Sequence, residues 1–84
     1  DRLSRNVRLG RMKNIPDPET LQRRFSLTKR QSEVARLLGL RYTNREIADT
    51  LEISTHTARH HTQAVLETLG VSSRHRVAAR LLES

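Results

Sequence analysis

From Leu27 to Leu82, apolar residues recur at intervals of three and four, the period of helices that bury one face, and nowhere do they alternate as a half-buried strand would. Thr28, with Gln31 three residues on, forms a capping box that opens a helix with Gln31, Val34, Ala35, Leu37 and Leu38 on one face. Gly39 ends or loosens that helix. Thr43 and Glu46 repeat the box before a short helix carrying Ile47, Ala48 and Leu51. After Glu52 and Ile53, Ser54 is the N-cap of a longer helix in which Ala58, His61, Thr62, Val65, Leu66 and Leu69 turn inward, and Gly70 closes it. Ser72 or Ser73 then caps a last helix with Val77, Ala78, Leu81 and Leu82 inward. The pattern predicts an all-α domain of four helices over residues 26–84, with a tight turn between the second and third that makes a helix-turn-helix over about residues 43–62.

The stretch before Phe25 reads differently. Arg2, Arg5, Arg8 and Arg11 repeat at every third position, large apolar groups are few, and Pro16 and Pro18 fix φ and push the residues before them away from helix. Asp17-Pro18-Glu19 has the order N-cap, proline, acid that opens a short helix reaching to about Arg24. Residues 1–25 are therefore expected to be a basic, part-helical linker or arm rather than part of the domain.

A chain of 84 residues with a net charge of +7 is one domain, or one domain with a tail. No apolar run approaches the roughly 18 residues of a membrane span, which predicts a soluble chain with no membrane partner. With no cysteine, a disulfide framework and cysteine-type zinc sites are excluded, in keeping with a reducing cytoplasm. One Tyr and one Phe are too few for a stacking platform for single strands, so the positive charge points to the phosphates of a duplex. Residues Asp1 to Phe25 carry seven basic and three acidic groups, and the remainder nine against six, so more than half of the excess lies in the arm. The chain begins at Asp1 rather than Met, the expectation for a processed product or a piece of a longer chain.

The helix after Ser54 has two unlike faces. Its outer, N-terminal side shows Thr55, His56, Arg59, His60 and Gln63, hydrogen-bonding groups of moderate length with no acid among them. Arg pairs with guanine edges, Gln with adenine, and His or Thr with phosphates or bases, so such a helix suits the major groove of double-stranded DNA.

Leu27-Thr28, Arg30, Glu33-Val34, Thr43-Asn44-Arg45-Glu46-Ile47-Ala48, Leu51, Ile53-Ser54, Thr57, His61, Leu69-Gly70-Val71 and Arg74 together resemble the LuxR/GerE/FixJ-type helix-turn-helix domain of bacterial transcription regulators. The resemblance implies a four-helix domain that binds duplex DNA, usually as a homodimer formed through the last helix, as the output end of a regulator that acts with RNA polymerase. It implies base reading by Arg59, His60 and Gln63, with Arg45, Thr55, His56, Thr57 and His61 in backbone or auxiliary contacts. A dimerisation surface is expected at Arg74, Val77, Ala78 and Leu81.

This chain departs from the family pattern at several points. Lys29 stands for a usual proline and Gln31 for a usual glutamate. Arg41 replaces a glycine that normally follows the first helix, so a left-handed turn there carries a penalty unless Gly39 moves the bend. Ala58 and Thr62 stand where valines are usual, which predicts a looser seam. Two rival readings are a helical protein-interaction or dimerisation module and a sigma-factor-like promoter-reading domain; the Gly70-Val71-Ser72-Ser73-Arg74 run before a further apolar helix argues against the second. Glu52, His56 and His60 are spaced by four but lack a further metal ligand, and no nucleophile turn or phosphate loop is present, so neither a cofactor nor catalysis is expected.

Overall fold

The computed structural model describes residues 15–82. Its elements are α1 (Pro18–Phe25), α2 (Lys29–Gly39), α3 (Asn44–Leu51), α4 (Thr55–Leu69), a 3-10 turn (Arg74–Arg76) and α5 (Val77–Leu82). The fold is all-α, with no strand among the described residues. The arginine stripe from Arg2 to Arg11 lies outside them.

Each of the first four helices starts on the side chain that the sequence supplies for it. Asp17 accepts the Thr20 amide at 2.8 Å, with Pro18 at the first helical position. Thr28 and Gln31 exchange reciprocal bonds at the start of α2, and Thr43 and Glu46 do the same for α3. Ser54 accepts the Thr57 amide at 3.0 Å to open α4. Accepting the Thr20 N–H, with Arg23 and Arg36 nearby, holds the Asp17 carboxyl below its ordinary value of 3.8. That contribution to α1 is present above the ordinary value and disappears as pH falls through the lowered one. The last helix differs from expectation: Ser73 makes no side-chain cap bond, and the chain enters α5 through the 3-10 turn instead.

Helix ends follow one rule with three different residues. In α2, α3 and α4 an amide beyond the helix end reaches back five positions, Tyr42 to Leu37, Ile53 to Ala48 and Val71 to Leu66, each at 3.0 Å. This geometry places one left-handed residue in each turn: Arg41 at φ 72°, Glu52 at φ 58° and Gly70 at φ 71°. Only Gly70 adopts it without a Cβ penalty, which for other residues is about 1–2 kcal/mol. The bend after α2 has thus not moved to Gly39, and Arg41 carries the strain. Gly39 is instead a point of close approach, because a Cβ there would meet Leu81 Cδ1 at 3.1 Å and Ile15 Cδ1 at 3.4 Å.

The core is built around α2, which packs against α1, α4 and α5, while α3 packs on α4. Val34, Ala35, Leu38, Ile47, Ala58, Val65, Leu69, Val77 and Leu81 fill it. Ile15 and Leu21 are buried in the same cluster, so α1 and the residues before it pack with the helices that follow. α1 thus contributes a fully enclosed leucine to this core. Arg80 ties the far end together, its Nε donating to the Leu69 carbonyl at 3.1 Å and its guanidinium carbon lying 5.1 Å from the Phe25 ring centre. It thereby satisfies the C-terminus of α4 and joins α5 to α1.

Two stability measurements check this packing. Leu21→Ala should destabilise the whole domain by about 2–5 kcal/mol in urea unfolding, as enclosed leucines do, whereas a domain beginning at residue 26 would leave the midpoint unchanged. Arg41→Gly should raise the midpoint by the equivalent of about 1 kcal/mol, since relief of the left-handed Cβ outweighs the extra freedom of the unfolded glycine. A lower midpoint would contradict the strain at Arg41.

Candidate nucleic-acid interface

The turn joining α3 to α4 is three residues long, and all three are committed. Glu52 takes the left-handed position, Ile53 packs half-buried against the core, and Ser54 caps α4. Ser54 also donates its hydroxyl to Thr57 Oγ1 at 2.8 Å.

With Ala58, Thr62, Val65 and Leu69 turned into the core, the opposite side of α4 is fixed by the helical repeat. Thr55, His56, Arg59, His60 and Gln63 are all exposed on it, and Thr57 and His61 are half-buried at its edges. The His56 and His60 rings meet edge to face, 4.5 Å between centres, which places both imidazoles over one turn of the surface. No carboxylate occurs in α4 before Glu67, and the amide end of the helix adds partial positive charge at Thr55. Arg45 is exposed in the first turn of α3, and neither it nor Arg59 pairs with an acid among the described residues. The arrangement is a cationic, donor-rich helix edge standing on an apolar base.

Polar contacts behind this helix were not legible in the sequence. Asn44, the first residue of α3, accepts two hydrogen bonds on Oδ1, from Thr62 Oγ1 at 3.0 Å and from Arg74 Nη1 at 3.1 Å. The other Arg74 nitrogen, Nη2, donates to the Tyr42 carbonyl. Thr62 is 6% exposed, so what looked like a thinned apolar seam is a satisfied polar contact. The residues involved are 18 and 30 positions apart, beyond any local pattern. Beside them a pocket of about 350 Å³ is lined by Leu38, Arg41, Tyr42, Thr43, Arg74 and His75.

Of the residues expected on a dimerisation surface, two are enclosed within one chain and two are half-buried. Val77 and Leu81 are fully enclosed in the core of one chain, because α5 closes the open side of α2. Arg74 is held by Asn44 and Tyr42, and Ala78 is half-buried. The exposed side of this segment is formed instead by His75, Arg76, Ala79 and Leu82, the last 48% exposed. No group of three or more metal-ligating side chains comes together among the described residues, so Glu52 with His56 and His60 forms no such cluster. No described helix is long and apolar enough to cross a membrane.

Two helices at a capped three-residue turn, the second showing a basic polar face, define a helix-turn-helix domain. Residues 25–81 match the luxR family of bacterial regulatory proteins, and the chain belongs to that family. It is similar to the spore germination protein GerE of Bacillus subtilis (strain 168), 43% identical over 56 residues that cover 67% of this chain and 76% of that protein. A search of solved structures found no match. Membership makes this a DNA-binding domain of a transcription regulator.

Proposed function

We propose that this domain reads a specific duplex sequence by laying the N-terminal half of α4 in the major groove. The carrying observation is the acid-free exposed row Thr55, His56, Arg59, His60 and Gln63, raised on a core-facing base of Ala58, Thr62 and Val65. Arg59 supplies a planar fork for a guanine edge, Gln63 a donor and acceptor for adenine, and His60 a single ring nitrogen between them. Thr57 donates its hydroxyl to a phosphate, and Thr55, His56, His61 and Arg45 flank the groove as further backbone contacts.

Two copies occupy an inverted repeat, related through the exposed side of the C-terminal segment. Leu82 and Ala79 supply the apolar centre of that surface, with Ala78 beside them, while Val77 and Leu81 support it from within. A two-fold partner then sets the α4 helices in successive major grooves, about 34 Å apart.

Selection from a random duplex pool tests both parts. The native chain should enrich an inverted repeat with half-sites about one helical turn apart. Arg59→Ala should weaken the selected site by about 1–3 kcal/mol and relax preference at one position per half-site, with little change on unrelated duplex. Enrichment of no sequence, or an identical base profile for Arg59→Ala, would overturn base reading; enrichment of single, unpaired half-sites would overturn the dimer.

A further inference from the structure

The enclosed face of α4 holds it by two kinds of force. Ala58, Val65 and Leu69 contribute apolar contact, which is nearly non-directional and tolerates rotation of a helix about its own axis. Thr62 contributes a hydrogen bond, which is directional and does not. Its acceptor, Asn44 Oδ1, is itself fixed: the Arg74 guanidinium donates to the same oxygen at 3.1 Å and with its other nitrogen to the Tyr42 carbonyl. Both lone pairs of the Asn44 oxygen are therefore used, one of them by a charged donor. Four segments meet at this point: the loop after α2, the first turn of α3, the middle of α4 and the 3-10 turn that leads into α5.

We propose that Thr62 is a positioning residue for DNA reading: through Asn44 and Arg74 its hydroxyl sets the rotation of α4, and with it the direction in which Arg59 and Gln63 point. Arg59 lies one turn before Thr62 and Gln63 lies beside it, so a rotation at Thr62 displaces both side chains together. The inference rests on the base-reading role given above. It also explains a departure of this chain from its family pattern, since a valine at position 62 fills the same space but offers no donor to Asn44.

Two substitutions separate orientation from stability, because threonine carries one methyl and one hydroxyl. Thr62→Val keeps the shape and removes the donor, while Arg74 still satisfies the Asn44 oxygen, so stability should be retained or rise. Its ratio of affinity for the selected site over unrelated duplex should nevertheless fall between about twofold and thirtyfold. Thr62→Ser keeps the donor and opens a methyl-sized void, so it should unfold at lower urea yet hold the affinity ratio within about twofold of the native chain. Residual dipolar couplings of the free protein should show α4 reoriented against α3 in Thr62→Val and unchanged in Thr62→Ser. Native ratio and native couplings in Thr62→Val would overturn the proposal, as would losses of ratio that simply track stability in both variants. Should the native chain show no base preference, base reading fails, and the couplings alone decide whether Thr62 orients α4.

Discussion

The enclosed side of α4 is the constraint on which the rest of this molecule depends. Ala58, Thr62, Val65 and Leu69 turn that side into the core, and the helical repeat then leaves no choice about which residues face out. The exposed row from Thr55 to Gln63 is a consequence of that burial. Small residues at Ala58 and Thr62 let α4 approach the neighbouring helices, and the one polar atom this introduces is matched by Asn44. α2 serves as the common wall, and α1 and α5 close its remaining sides, each delivering a leucine with no exposure, Leu21 and Leu81.

Helix starts were readable because their chemistry is local. Asp17, Thr28, Thr43 and Ser54 each bond an amide three residues on, a relation visible in any four-residue window. Helix ends were less so. Gly70 announces a left-handed residue, but Arg41 and Glu52 take the same conformation without the residue type that usually marks it. Tertiary packing decides there: Tyr42 and Ile53 must return to the core, and the turn that brings them back imposes a positive φ on whatever side chain precedes them.

Long-range relations account for what the sequence did not disclose. Leu21 and Phe25 are the only large apolar residues of α1, too few to mark a buried helix, yet the fold needs Leu21 against α2. Val77 and Leu81 were readable as an apolar stripe, but whether a stripe faces its own core or a second chain depends on the shape of the opening it meets; here the Gly39 notch receives Leu81. The outward residues of α4, by contrast, followed from the period of the inward ones, and the family pattern supplied the roles proposed for them. Arg74 belonged to that pattern as well, but its bonds to Asn44 and Tyr42 join elements 30 and 32 positions apart.

The central claim is that the N-terminal half of α4 meets DNA while α1, α2 and α5 form its support. Amide shift mapping of the uniformly labelled protein, titrated with its selected duplex, tests this directly. The largest perturbations should fall on Thr55 to Gln63 and around Arg45, with the buried face of α2 nearly silent. Perturbations centred on α1 or on the exposed side of α5, with Thr55 to Gln63 unmoved, would contradict it.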